Sequence, residues 1–181
     1  LADEMDVNWE NVRVMDAPAD GNYVSHHAAR LFVGPGTLPD QPNQVGFMEP
    51  TYDGLFTQIS KLASAYITGG SSSVRSTGQN GMRIAGAAAR EMLIAAAAAE
   101  WGVPAGEITT ENATLTHAAS GRSQPYAAFA AAAAEQDLPQ APKIKQASEY
   151  RLMGRPAPRK DIPLKVDGTA IFGIDGGPDS D

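Results

Sequence analysis

The sequence predicts an α+β fold, with alanine-rich helices packed on a small mixed β-sheet. Three observations carry that expectation. A long run of helix-forming residues begins near Ser72 or Ser73, reaches Glu100, and stops at Trp101-Gly102-Val103-Pro104. Two short β-type stretches follow it, and a second alanine-rich stretch, Tyr126 to Gln136, comes after them. Helix-period and strand-period segments that alternate in this way argue against an all-α or an all-β domain.

Taken in order, Leu1 to Met5 reads as the last turn of a helix entered midway, and the chain is expected to be a fragment or one piece of a larger subunit. Val12 and Val14 alternate with polar residues, which predicts a short half-buried strand. Residues 21–64 are the least regular part, with Gly and Pro scattered through an aperiodic run, and a loop of that length is usually functional or disordered. Within it, Leu55 to Ala65 has a helical apolar period. His26 and His27 are adjacent, so they point apart and suit a surface pair better than a shared metal. The main helix must tolerate Gly78, Gly81 and Gly86, each costing up to about 1 kcal/mol against Ala. Close helix packing is the simplest compensation.

Gly102 suits the left-handed residue that ends a helix, and Pro104 bars continuation. Ile108 to Thr110 and Ala113 to Thr116 read as strands joined by a tight turn at Glu111-Asn112. Ser120-Gly121 turns the chain into Arg122 to Pro125, after which the second helix is capped by Ser123 or Gln124. His117, at a strand end, is expected to be solvated and without a catalytic partner. Residues 137–163 carry five prolines, with Pro163 the last, and several basic residues, which predicts a linker extended over a surface. Residues 164–175 read as a turn at Asp167-Gly168 and a strand, and 176–181 as a tail. Leu1 to Leu115 also holds a faint echo, since LADEMDVNWENVRV and AAEWGVPAGEITTENATL both run from a helix end through a turn into a strand.

The 181 residues allow one domain with a real core. Fourteen Lys and Arg against 21 Asp and Glu give a net charge of −7 and a pI near 4.9, which disfavours nucleic-acid binding. There is no run of apolar residues long enough for a transmembrane helix. With no cysteine, the chain itself cannot provide a disulfide, a thiolate zinc site or a cysteine-ligated iron–sulfur cluster.

The most informative stretch is Tyr66-Ile67-Thr68-Gly69-Gly70-Ser71-Ser72-Ser73-Val74-Arg75-Ser76. Glycines let backbone approach a ligand closely, and a helix start offers unpaired N–H groups and a positive dipole end. Together they suit an anion such as phosphate. The competing reading is a plain helix entry, which would make the chain a non-catalytic α/β structural or interaction module. A P-loop lysine and a Gly-x-Gly-x-x-Gly pattern are both missing here, so a common nucleotide fold ranks last.

The run Ile67 to Arg90, ITGGSSSVRSTGQNGMRIAGAAAR, resembles the pterin-binding loop and helix of the molybdenum-binding subunit of the xanthine dehydrogenase/aldehyde oxidase family. The flavour is that of the bacterial isoquinoline 1-oxidoreductase and aldehyde dehydrogenase branch. Leu1 to Val14, Trp101 to Thr116 and Arg155 to Asp175 agree with it. The resemblance implies that residues 1–136 are part of a molybdopterin-binding domain and that 164–175 begin a hammerhead-like neighbour. It implies a molybdenum hydroxylase that oxidises aldehydes or N-heteroaromatics with oxygen from water. The cofactor would be a molybdopterin, usually the molybdenum cytosine dinucleotide, held by Gly69, Gly70, Ser71, Ser72 and Ser73. Thr68 would cap or contact the same ring, and Arg75 would either pair with a phosphate or form a surface ion pair. Iron–sulfur clusters would sit only on a small [2Fe–2S] partner subunit, with cytochrome c a further partner in some relatives. A periplasmic location is slightly favoured by the same analogy. The family's catalytic glutamate stands in a Gly-Glu pair, and the Gly106-Glu107 pair here lies in a helix-to-strand turn and reads as structural. The chain alone is therefore expected to lack activity.

Overall fold

The computed structural model describes residues 1–15, 20–24, 49–66 and 77–172. Its architecture is α+β, as the sequence predicts. In order come a helical turn at residues 1–6, α1 (Glu49–Leu62), a π-helical turn (Gly78–Met82) and the long α2 (Arg83–Trp101). The strands β1 (Ile108–Glu111), β2 (Thr114–His117) and β3 (Arg122–Pro125) follow, then α3 (Tyr126–Ala134) and a short α4 (Ile162–Val166). Among the described residues the sheet is antiparallel throughout, in the order β1-β2-β3, rather than mixed.

Small residues at the contact let α2 and α3 approach closely over the sheet. Ala96, Ala97 and Ala133 are buried between them, and Leu93, Leu115 and Phe129 fill the space towards the strands. Trp101 closes the end of α2 edge-on to Phe129, with ring centroids 5.3 Å apart and planes at 87°. Gly102 then takes φ 65°, and its N–H and that of Val103 both return to the Ala98 carbonyl. Arg122, at the start of β3, donates to the Trp101 carbonyl at 2.6 Å and so satisfies another orphan acceptor at the helix end.

The β1–β2 turn lies one residue later than expected. Glu111 pairs with Thr114, which leaves Asn112 and Ala113 as a two-residue loop with φ 49° and 57°. Positive φ at both positions is the hairpin turn that matches strand twist. Ala113 is an unusual occupant and is pinned from both sides: its N–H donates to the Asp6 carbonyl at 2.9 Å, and its carbonyl accepts from Tyr126 at 2.8 Å. β3 is exposed along its length, short and polar, and ends in Pro125, all features that discourage edge pairing.

Four other expectations change. Residues 12–15 form no strand. Instead Trp9–Asn11 makes a 3-10 turn, and Val14 and Met15 lie exposed, because no described strand comes alongside to complete a ladder. Residues 165–172 likewise form no strand: 162–166 are helical, and the turn at Asp167-Gly168 is present, with Gly168 at φ 80°. The helix expected from Leu55 begins at Glu49, since proline is tolerated in a first turn. Pro125 itself occupies the N-cap of α3, without a side-chain cap from Ser123 or Gln124.

The first residues do form a helix end. Met5 N–H bonds the Leu1 carbonyl, Asp6 N–H bonds that of Asp3, and Val7 N–H bonds that of Ala2, with Asp6 left-handed at φ 52°. This is the closing pattern of a helix, with Asp6 where glycine usually stands.

Candidate functional site

The predicted cofactor residues Thr68, Gly69, Gly70, Ser71, Ser72, Ser73 and Arg75 lie outside the described residues, as do His26 and His27. The description resumes at Thr77, at the head of the long helix that the loop was expected to enter. There the backbone makes its π-helical turn before settling into α2 at Arg83. The three helix glycines divide by role. A Cβ on Gly86 would stand 2.9 Å from Glu4 Cβ and 3.0 Å from the Leu1 carbonyl oxygen, so this glycine permits close packing. At Gly78 and Gly81 a Cβ would meet nothing within 4 Å among the described residues.

A cleft of about 650 Å³ opens beside the π-helical turn. Gly78, Met82 and Arg83 form one wall, and Ile144, Tyr150 and Met153 form another. The Arg83 guanidinium lies over the Tyr150 ring at 5.3 Å. It also donates to Glu4 Oε1 at 2.9 Å and to the Lys145 carbonyl at 2.7 Å, which fixes its plane at the floor of the cleft.

Below the cleft lies a polar hub joining the first turn, α2 and the segment 143–153. Glu4 is fully buried and accepts from Arg83 and from the Lys145 N–H at 2.9 Å each. Arg90 donates to the Glu4 carbonyl at 2.6 Å and to that of Lys143 at 2.8 Å. Lys145 buries its ammonium between the Asp3 carbonyl and Asp6 Oδ1, and Thr110 donates to Asp6 Oδ2 at 2.7 Å. Asp3 accepts three backbone N–H groups, from Arg151, Leu152 and Met153. Burial alone would raise the Asp3 carboxyl, but those three donors, aided by Lys145, outweigh it and hold the group below its ordinary value. The segment expected to cross the surface as an extended connection thus buries Ile144 and Lys145.

His117 also departs from expectation. It is buried, with Nδ1 2.7 Å from Ser120 Oγ and Nε2 2.9 Å from Glu107 Oε2. The half-exposed Glu107 is thereby tied to His117. The strand period would have flagged His117, since it falls two residues after buried Leu115 on the same face. Among the described residues no group of three or more His, Asp or Glu is placed to hold a metal, and no helix is long and apolar enough to cross a membrane.

An alanine-rich α+β module, entered through a Gly-Ser stretch, is the class of protein defined so far. No family model matches the chain. It is similar to an oxidoreductase subunit, the isoquinoline 1-oxidoreductase subunit beta of Brevundimonas diminuta, at 27% identity over 208 aligned positions. The match takes in 97% of this chain and 22% of that protein, so the chain spans about a fifth of the length of its curated relative. The resemblance read from the sequence is thereby supported across the chain.

Proposed function

We propose that this chain is one part of a molybdenum hydroxylase subunit and supplies a pterin- and phosphate-binding loop through Gly69, Gly70, Ser71, Ser72 and Ser73. The observation that carries the reading is the similarity, along almost the whole chain, to the beta subunit of isoquinoline 1-oxidoreductase. The donor set fits such a group. Serine hydroxyls and exposed backbone N–H groups donate to phosphate oxygens, and the glycines leave space for close approach. When bound, a molybdopterin supplies the redox chemistry that oxidises an aldehyde or an N-heteroaromatic carbon. The chain's own part is to hold and orient. Gly69 and Gly70 bring backbone to the ligand, Ser71 to Ser73 fix its phosphate, Thr68 flanks the ring, and Arg75 adds a cation.

The hub gives the head of α2 a firm base. Arg83 and Arg90, on the first two turns of α2, are clamped by Glu4 and by carbonyls of 143–145, so the helix head cannot shift without breaking buried ion pairs. A general base, iron–sulfur clusters and an electron acceptor would come from the rest of the subunit, a [2Fe–2S] partner and, in some assemblies, cytochrome c.

The test is elemental analysis of the native assembly recovered through this chain from its source cells. Molybdenum near one per assembly, with iron on co-purifying subunits, is the expected result. Ser71→Val should lower molybdenum content and leave the melting temperature unchanged. A folded assembly with neither metal would refute the proposal and leave a structural module.

A further inference from the structure

We propose that the open edge of β1, which faces the segment 143–151 across a groove, receives a short extended peptide bearing carboxylate side chains. Backbone geometry and charge at the groove carry this reading, with no part for a bound cofactor.

The backbone is the first reason. The sheet order β1-β2-β3 leaves β1 with one side unpaired among the described strands. Glu111 and Thr114 close the two-residue turn and exchange both of their hydrogen bonds. Thr110, opposite Leu115, and Ile108, opposite His117, therefore turn their backbone groups away from β2. Pro125 agrees with this phase, because its place opposite Thr114 needs no N–H from β3. The Ile108 N–H is taken by the Ala105 carbonyl. The Ile108 carbonyl and both backbone groups of Thr110 are left without a partner among the described residues. On the opposite wall, Lys143 and Lys145 donate their N–H groups to Glu91 and Glu4, and their carbonyls accept from Arg90 and Arg83. Ile144 stands between them, buried and bordering the groove, and neither its N–H nor its carbonyl has a described partner. Buried backbone groups are almost always paired. Both walls thus offer backbone groups to a strand laid between them, the mode of recognition in which a peptide extends a sheet.

Charge selects the occupant. Seven of the 14 Lys and Arg residues stand in 143–165, where Glu149 and Asp161 are the only acids. That is a local excess of five positive charges in a chain of net charge −7. Arg90, Lys143, Lys145 and Arg151 line the groove, against the carboxylates of Asp6 and Glu149. Asp6 is paired with Lys145, and Glu149 accepts from the Gln146 N–H. Arg90 shares the single carboxylate of Glu4 with Arg83. Arg151 is half exposed between Asp6 and Glu111, and the exposed Lys143 ammonium has no partner among the described residues. The surplus is positive, so carboxylates on the incoming segment are attracted and lysines are repelled. The groove of about 400 Å³ suits a short stretch of chain, and β1 offers it four residues.

The experiment uses the ¹⁵N-labelled 181-residue chain, with the end-blocked peptide Thr-Asp-Val-Glu-Val-Thr as probe. Three controls accompany it: the same peptide with Asn and Gln in place of Asp and Glu, the acidic peptide N-methylated at alternate residues, and inorganic phosphate. The acidic peptide should shift the Thr110 and Ile144 amide signals saturably, with half-saturation at or below about 1 mM. It should also slow hydrogen exchange at both amides. The neutral peptide should bind about tenfold more weakly, and the N-methylated one should not bind. Lys143→Glu reverses a charge that makes no described contact, and it should weaken the acidic peptide about fivefold while the melting temperature is kept. Absence of a saturable shift overturns the proposal, as does a shift without slowed exchange at Thr110 and Ile144. Equal binding of the neutral or N-methylated peptide, or unchanged affinity in Lys143→Glu, overturns it too. Phosphate that binds as tightly as the peptide would mark a simple anion site and refute a strand-binding groove. A molybdenum-free assembly would leave these results untouched, so the two proposals fail separately.

Discussion

The two ends of α2 are held by opposite kinds of chemistry. Its C-terminal half packs Leu93, Ala96, Ala97 and Trp101 against the sheet and α3 in an apolar core built from residues 93–133. Its N-terminal half is held by Glu4, Asp3, Asp6 and Lys145, through contacts that join positions 62 to 150 residues apart. An apolar core tolerates small displacements, because dispersion and burial have no direction. The hub does not, since each buried charge must keep its partner and its geometry. The more demanding attachment is thus at the N-terminal end of the helix, beside the cleft.

The largest effect should come from emptying the apolar half. Phe129 is fully buried beneath Trp101, and Phe129→Ala removes a ring that the fixed helix spacing cannot close over. A loss of about 4 kcal/mol is expected in denaturant unfolding. Loss of under about 1 kcal/mol would mean that the core is loose and the contrast between the two halves is false.

The hub should respond somewhat less and in a different pattern. Glu4→Leu leaves Arg83 and the Lys145 N–H facing a buried site without an acceptor, at a cost of about 3 kcal/mol. Adding Arg83→Met should restore part of the loss, because removing both charges abolishes the unpaired one. Additive losses in the double variant would show that the two residues act independently, contrary to the geometry.

These two regions also explain what the sequence discloses. The long helix, its stop at Gly102, the first two strands and α3 were legible because each depends on local pattern: alanine runs, glycine and proline punctuation, and alternation. Val12 to Val14 and Lys165 to Phe172 carry the same alternation but form no ladder, since a strand also needs a neighbour that pattern alone does not supply. The hub was invisible for a related reason. Nothing local in Asp3, Glu4 and Asp6 distinguishes a buried cluster from a solvated acidic turn, and the partners that decide it stand at 83, 90 and 145. Of the candidate site, the sequence marked the Gly-Ser approach but not the cleft, whose two walls lie more than 60 residues apart.

Acid should separate the halves next. Asp3 has its carboxyl held below the ordinary value near 3.8, so its contribution is fully present above that value and is lost as pH falls through the lower folded one. Stability measured from pH 6 to pH 3 should therefore decline, and Asp3→Asn should flatten part of that slope. An identical slope in the variant would show that the three N–H donors from 151–153 do not select the charged form.

The smallest expected effect concerns Tyr126, which belongs to both halves. Its ring is buried in the apolar core, while its hydroxyl donates to the Met5 carbonyl at 2.8 Å and so ties the core to the first turn. Burial is the main cause that pushes its phenol up to about 12, assisted by the charge of Asp6 and opposed by the Thr110 hydroxyl. A raised phenol means that the folded chain prefers the neutral ring. The stability this provides is complete below the ordinary value of 10.0 and is lost as pH rises towards 12, where the unfolded chain ionises first. Tyr126→Phe should cost about 1 kcal/mol at neutral pH, the worth of one hydrogen bond, and should flatten the alkaline decline between pH 10 and 12. If the variant kept the same alkaline decline, another group would be responsible. If it cost nothing at neutral pH, the two halves would be joined only through α2, and the link across Tyr126 would be incidental.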